Sequence, residues 1–203
     1  MLVNMDKAMR LTSDDKQKLI LKIRSGAARA FRAKGYDGVS LDSLMKESGL
    51  TRGAFYAHFK SKAVLFSEVI CHEHPLLRML EARSGEDATS LRAEMCAIFA
   101  GYLDPKNLAE VFGGCSFAAL LGDVTRAGVE TKTAFDTALR NICAEMARGQ
   151  GREARDYLPA LILATAAVRT AYASADPDLQ SDILRTAHAT FLAVLPTPLE
   201  PLK

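Results

Sequence analysis

The sequence predicts an all-α protein, and three observations support this fold class. Apolar residues recur at helical spacing through nearly the whole chain, no segment alternates like a strand over a useful length, and Gly or Pro interrupts the pattern at helix-length intervals. The 203 residues, 49% of them hydrophobic and 25% charged, are enough to bury a real core. No apolar run is long enough to span a membrane, and we expect neither a transmembrane segment nor a signal peptide.

The charge of the chain is distributed unevenly. Residues 1–62 contain 13 Lys and Arg against 6 Asp and Glu, whereas residues 63–203 contain 13 against 18. A basic N-terminal segment on an acidic remainder favours binding to a polyanion, although a solvated basic face would give the same count.

The first three helices are short and closely spaced. The first is predicted from the cap Thr12–Asp15 to Lys34-Gly35, where Gly ends the helix. The second begins after Ser40, and the third begins at Thr51, which follows the turn Gly49-Leu50. A short helix, a glycine-containing turn and another short helix, at about residues 40–59, form the helix-turn-helix pattern.

A fourth helix is predicted to connect the two halves of the chain without a flexible linker. It begins at Ser61 and is expected to bend at Pro75. The prediction is therefore a DNA-binding domain at 1–62 and a larger helical domain at 63–203. The later helices are predicted at roughly 88–103, 107–112, 115–126, 131–149, 155–174 and 178–195.

The third helix, within TRGAFYAHFKSK at 51–62, has two different faces. Phe55 and Phe59 lie four residues apart and are predicted to anchor the helix in the core. Arg52 and Tyr56 share another face, and Gly53 would let a nucleic acid approach the backbone closely. The aromatic residues thus anchor the helix, and the polar and cationic residues are available to DNA.

The segment IRSGAARAFRAKGYDGVSLDSLMKESGLTRGAFYAHFKSKAVL, residues 23–65, closely resembles the DNA-binding domain of TetR-family transcriptional regulators. The matching positions in the first helix, the turn, the third helix and the start of the fourth are Ala27, Phe31, Gly35, Tyr36, Gly49, Leu50, Thr51, Gly53, Phe55, Tyr56, His58, Phe59, Ser61, Lys62 and Leu65. The resemblance implies an N-terminal three-helix helix-turn-helix domain joined by a shared fourth helix to a ligand-binding and dimerisation domain. It also implies a cytoplasmic, nucleoid-associated regulator without a cofactor, most simply a repressor that a small-molecule inducer releases from a near-palindromic operator.

The resemblance also assigns roles on DNA to residues of this chain. Arg52 is expected to recognise a base, because Arg can pair bidentately with guanine O6 and N7. The small residues Gly53 and Ala54 would allow the DNA to approach the helix backbone closely. The residues expected at phosphates are Ser40, Thr51, Tyr56, His58 and Lys62. A freely exposed histidine is the alternative for His58, and Lys60 is as readily a solvated lysine.

The C-terminal helices are expected to form a homodimer interface. Residues 155–174 are apolar almost all round, and residues 178–195 place Leu179, Ile183, Ala187, Phe191 and Val194 at helical spacing. We expect these two helices of each subunit to form a two-fold four-helix interface. The alternative is a central helix in a monomer.

The inducer pocket is expected among the helices of roughly 64–126. Its candidate lining residues are Met79, Met95, Phe99, Tyr102, Phe112, Cys115 and Phe117. Each is individually as well explained by ordinary core packing, and the ligand is expected to be small and apolar by analogy alone.

Cys115 opens a second possibility, a redox or electrophile-sensing regulator. Gly113-Gly114-Cys115-Ser116 places the thiol at the start of a helix, where free N–H groups would lower its pKa. A small buried hydrophobe is the alternative for Cys115. Cys71 and His74 share a helix face but lack further metal ligands in sequence, so no metal site is predicted.

An all-helical enzyme is a remote third possibility. The sequence contains no catalytic Ser/His/Asp pattern, paired carboxylates, Gly-rich phosphate loop or metal motif. We therefore predict that the protein is not an enzyme and has no catalytic residues.

Overall fold

A computed structural model describes residues 13–48 and 51–199, and this part of the chain is helical without strands. The predicted all-α class is therefore confirmed. The described ranges contain eleven α-helices, which are α1 Ser13–Lys34, α2 Leu41–Ser48, α3 Arg52–Tyr56, α4 Lys62–His72, α5 Pro75–Glu81, α6 Ala88–Tyr102, α7 Leu108–Gly114, α8 Ser116–Arg126, α9 Val129–Ala147, α10 Leu158–Ala173 and α11 Pro177–Val194. Two 3₁₀ turns, Pro105–Asn107 and Ala154–Tyr157, precede α7 and α10.

The ends of the first helices follow local chemistry. Gly35 ends α1 with a φ of 70°, a backbone conformation that favours glycine. The Thr51 and Ser61 hydroxyl oxygens accept N–H bonds from Ala54 and Val64 in α3 and α4, as predicted. The turn predicted at Gly49-Leu50 lies outside the described residues.

The third helix is shorter than predicted. Regular helix ends at Tyr56, and the segment to Phe59 continues as a turn in which the Phe55 carbonyl accepts the backbone N–H groups of His58 and Phe59, each at 2.9 Å. The turn still places Phe55 and Phe59 on the buried side, at 1% and 4% exposure. The anchoring role predicted for these two residues is therefore confirmed.

The predicted fourth helix is interrupted, not merely bent. The segment between α4 and α5 is Glu73-His74, and Pro75 is the first residue of α5. Proline lacks an N–H group and is compatible with the first turn of a helix, so it starts a new helix here. The expectation of one continuous connecting helix needs this correction.

The core has an N-terminal and a C-terminal cluster. The N-terminal cluster joins Phe31, Phe55 and Phe66 from α1, α3 and α4 with Leu120 and Val124 of α8. Side chains of α5–α11 form the C-terminal cluster, in which Phe99 stacks on Phe191 at 4.3 Å between ring centroids. Because α4 and α8 contribute to the N-terminal cluster, the first three helices are packed firmly against the rest of the chain. The boundary at 62/63 remains a prediction.

The last two helices pack against each other along much of their length. The inward side chains of α10 include Leu161, Ala164 and Val168, and those of α11 include Leu184 and Phe191.

Among the described helices none is by itself long and apolar enough to cross a membrane, although 105–114 and 116–126, bent by 44°, would reach that length and composition if taken together.

Candidate nucleic-acid interface

The outward face of α3 carries the residues that the sequence assigns to DNA. Thr51, Arg52 and Gly53 at its start are exposed, and the Tyr56 side chain is 54% exposed although its ring contacts Phe55 edge-on. Among the described residues, no heavy atom lies within 4 Å of the position that a Cβ atom at Gly53 would take. Packing within the protein therefore does not require glycine at this position, whereas close approach by another molecule would.

Two hydroxyl groups flank this face. The Ser40 Oγ accepts the backbone N–H of Ser43 at 3.1 Å, and the Thr51 Oγ1 accepts that of Ala54 at 3.2 Å. A hydroxyl oxygen that accepts such a bond can still donate its own hydrogen. Both caps can therefore donate to a phosphate oxygen without losing their role in the helix.

Arg52 is held by an acidic side chain that the sequence prediction did not include. Its Nη2 donates to Asp42 Oδ1 at 2.7 Å and Oδ2 at 3.0 Å, and its Nε donates to Oδ1 at 3.2 Å. Hydrogen bonding to Asp42 raises the pKa of Arg52. Both side chains remain exposed, at 71% for Arg52 and 68% for Asp42.

Lys62 has a structural role in addition to the predicted phosphate contact. Its Nζ donates to the carbonyls of Tyr36 and Val39, both at 2.9 Å, and lies 4.0 Å from the centroid of the Tyr36 ring. Two of its three N–H groups thus brace α4 against the α1–α2 connection, and one remains. His58 and Ala54 are half-buried behind the exposed residues. The DNA contacts predicted for Lys62, His58 and Ala54 remain predictions.

A polar cluster links α1 to the C-terminal helices. Arg24 Nε donates to the buried Glu73 carboxylate at 2.7 Å, and the Ser116 hydroxyl donates to the Glu73 carbonyl at 3.1 Å. Arg32 Nε donates to the carbonyl of Gly113 at 2.6 Å. The sequence did not predict these contacts because the bonded partners are 43 to 81 positions apart along the chain.

The predicted pocket residues are mostly packed side chains. Five of them, Met95, Phe99, Tyr102, Cys115 and Phe117, are buried in the C-terminal core cluster. Phe112 is half-buried and stacks on Tyr172, whereas Met79 is 45% exposed at the surface of α5. The structure thus brings five of the seven candidates together and separates Met79 from them.

Two grooves and a smaller cavity in the structure are lined by other residues. A groove of about 520 Å³ lies between α10 and α11, and another of about 440 Å³ lies between α9 and the start of α10. A smaller cavity of about 240 Å³ lies where Tyr36 and Asp37 meet α8 and α9. None of these three is lined by a residue predicted for the inducer pocket.

Cys115 lies in the break between α7 and α8, in an environment that opposes thiolate formation. It is 6% exposed, the Tyr102 hydroxyl donates to its Sγ at 3.0 Å, and burial raises the pKa of the thiol. Backbone N–H groups of Phe117 and Ala118 act to lower this pKa, as expected, but the cost of burying a charge is the larger effect, so the expectation of a net lowered pKa is wrong. Within the described ranges, no three His, Cys, Asp or Glu side chains form a group that could hold a metal ion.

Residues 23–69 match the family model of bacterial regulatory proteins of the tetR family. The HTH-type transcriptional regulator AcrR of Shigella flexneri is 42% identical over 60 residues, which are 30% of this chain and 28% of that protein. The transposon Tn10 TetC protein of Escherichia coli is 38% identical over 76 residues, 36% of this chain and 37% of TetC. The chain spans only about a third of the length of these curated relatives.

Solved structures extend the likeness to nearly the whole fold. The reduced form of NemR from E. coli aligns with a TM-score of 0.68 and 17% identity, over 90% of this chain and 100% of NemR. A TetR-family regulator from Cytophaga hutchinsonii aligns with a TM-score of 0.63 and 14% identity, over 92% of this chain and 98% of that structure. Residues 23–69 therefore form a TetR-family domain, on a chain with the fold of TetR-family regulators.

Proposed function

We propose that this protein is a sequence-specific DNA-binding transcriptional regulator, most simply a repressor that a small molecule releases from its operator. The observation that carries the proposal is the exposed face of α3, where Arg52 and Tyr56 flank a glycine with open space above it. The net positive charge of residues 1–62 would attract the phosphate backbone. Acting on an operator would place the protein in the cytoplasm, on the nucleoid.

On DNA, α3 would enter the major groove and α2 would lie across its edge. Arg52 would recognise a guanine, worth about 1–3 kcal/mol of discrimination. The hydroxyls of Ser40 and Thr51, together with Tyr56, would donate to phosphates and fix the register of the domain. The remaining Lys62 N–H would contribute a weaker backbone contact.

The regulator would act as a homodimer through α10 and α11. The groove between these helices is lined mainly by apolar and small side chains, and Ile162 and Leu179 are 53% and 49% exposed. A second copy related by a two-fold axis would cover this face and form a four-helix interface. We expect Leu179→Arg to sediment as a monomer, with Val129→Arg as the control, because Val129 is 80% exposed at the start of α9, a helix that packs mainly against α4, α5 and the 154–157 turn.

Release by an inducer requires a connection between the C-terminal core and α1. The carbonyl of Gly113, at the end of α7, accepts from Arg32 of α1, and Asp123 of α8 accepts the backbone N–H of Tyr36 at 3.1 Å. A ligand that displaced α7 or α8 would therefore move α1 and change the separation of the two DNA-binding domains in the dimer. The aromatic side chains beside the break between α7 and α8, which include Tyr102 and Phe117, favour a small apolar ligand.

In vitro selection from random-sequence duplexes tests the proposed function. The wild-type protein should enrich a near-palindromic site with two half-sites about one helical turn apart. Arg52→Ala, which alters a side chain that is 71% exposed, should fold normally and lose preference for a guanine in each half-site. If a folded, dimeric wild-type protein enriches no preferred site, it is not a sequence-specific regulator and the proposal fails.

A further inference from the structure

The ion pair between Asp42 and Arg52 joins the two helices of the helix-turn-helix. Asp42 lies in the first turn of α2, and Arg52 is the first residue of α3. Three donor–acceptor distances of 2.7 to 3.2 Å connect the two groups. The carboxylate therefore fixes the position of the guanidinium and also its rotation.

The bonds to Asp42 occupy one edge of the guanidinium and leave another available. Nε and one hydrogen of Nη2 point to the carboxylate. Within the described residues, Nη1 makes no hydrogen bond, so the edge formed by Nη1 and the second Nη2 hydrogen is available. That edge presents two parallel donors, the arrangement that pairs with O6 and N7 of guanine.

Orientation by a carboxylate would favour base recognition over phosphate binding. A long, exposed arginine side chain loses rotamer freedom when it binds, and a side chain already held in place loses less. The negative charge of Asp42 would also repel phosphate groups that compete for the same guanidinium. The pair is exposed and contributes little to folding, so its removal should leave the domain folded.

We propose that Asp42 is a specificity-determining positioning residue that presents the Nη1–Nη2 edge of Arg52 to a guanine of the operator. This inference deepens the proposed function and depends on Arg52 being the base-recognising residue. It makes Asp42 necessary for selectivity at one base pair while the overall fold and the phosphate contacts remain unchanged.

The experiment is a random-sequence DNA selection with full-length wild type, Arg52→Ala, Asp42→Ala and Asp42→Asn. Asp37→Ala is the matched control, because it removes another negatively charged, exposed side chain of the N-terminal part, one that makes no ion pair with Arg52. For each variant the ratio of guanine to adenine is measured at every position of the half-site. Thermal unfolding of each variant verifies that the domain is folded.

Both Arg52→Ala and Asp42→Ala are expected to lower this ratio at the same position, by at least about fivefold. Asp42→Asn retains one acceptor oxygen and should give an intermediate ratio, whereas Asp37→Ala should match wild type. Binding of Asp42→Ala to unrelated DNA should be unchanged or tighter, because a charge that repels phosphate is lost.

Three results would overturn the inference, and they separate its failure from that of the proposed function. If Arg52→Ala loses the guanine and Asp42→Ala keeps it, Arg52 recognises the base without help from Asp42. If Asp42→Ala loses selectivity only at another position, Asp42 contacts its own base. If neither variant changes a site that wild type selects, the base-recognition role of Arg52 fails as well.

Discussion

Replacing Gly53 with alanine should stabilise the protein and at the same time weaken its binding to DNA. Gly53 is the second residue of α3 and does not have a positive φ, and a Cβ atom there would meet no heavy atom of the described residues within 4 Å. Alanine fits this backbone and reduces the conformational entropy of the unfolded chain. In the free protein the substitution should therefore raise the free energy of unfolding without causing a steric clash.

The size of the stability gain follows from the position of Gly53 in the helix. Gly to Ala is worth about 0.5–1 kcal/mol inside a helix, and we expect about 0.5 kcal/mol at this exposed first turn. For a chain of this length that corresponds to a rise of about 1 to 2 °C in Tm. Differential scanning fluorimetry on paired samples measures the shift.

The loss of DNA binding has a separate cause. The added methyl group would project into the space that α3 needs to enter the groove, and it would move Arg52 away from its base. If the bidentate contact is lost, the affinity for a selected duplex should fall by about 5- to 150-fold. Fluorescence anisotropy with that duplex measures this change.

Gly101→Ala is the matched control. Gly101 lies in α6, also has open space where a Cβ would be built, and is remote in sequence from the helix-turn-helix. It should gain similar stability and bind DNA like wild type. Wild-type affinity in a folded Gly53→Ala protein would refute the reasoning, because α3 would then not approach DNA through its first turn.

Three further predictions concern the connection between α1, α4 and the C-terminal core. Burial lowers the pKa of His74 to about 4 from 6.5, so the unfolded state binds the proton more tightly than the folded state does. The free energy of unfolding should therefore fall by up to about 3 kcal/mol as the pH decreases from about 6.5 to about 4. Urea titrations should show that His74→Phe removes this dependence and that His72→Gln, at a surface position, retains it. Iodoacetamide should modify native Cys115 far more slowly than Cys71, because only the latter is partly exposed; equal rates by mass spectrometry would contradict the buried-thiol assignment. Arg32→Ala removes the hydrogen bond to the end of α7 and should cost about 1 kcal/mol in urea unfolding, and an unchanged midpoint would show that this contact does not stabilise the junction.

The sequence predicted the features that depend on neighbouring residues. Thr51 and Ser61 cap helices in the structure because a hydroxyl at that position satisfies a backbone N–H three residues later. Gly35 ends α1 because it alone adopts the required φ without strain. Phe55 and Phe59 are buried because they recur at helical spacing. In each case the physical cause acts within about one turn of helix.

The features that the sequence did not predict depend on distant residues. Asp42 contacts Arg52 only because α2 and α3 cross at a particular angle, and no local pattern sets that angle. The pKa of Cys115 is raised because the fold buries the thiol beside Tyr102, which outweighs its position at a helix start. The proline at position 75 indicated a disturbance in the fourth helix, but the extent of the break depends on tertiary contacts such as the ion pair of Glu73.

The most direct test of the account is the affinity of the purified protein for DNA from upstream of its own coding region, measured by fluorescence anisotropy. Titrations at several salt concentrations, with excess non-specific competitor and with Arg52→Ala alongside, separate base recognition from phosphate binding. We predict binding at least about 1,000-fold tighter than to unrelated DNA, weakening steeply with salt and reduced by about 5- to 150-fold in Arg52→Ala. Equal affinity for this DNA, for the selected site and for unrelated DNA, unchanged by Arg52→Ala, would contradict the central claim that α3 recognises a DNA sequence.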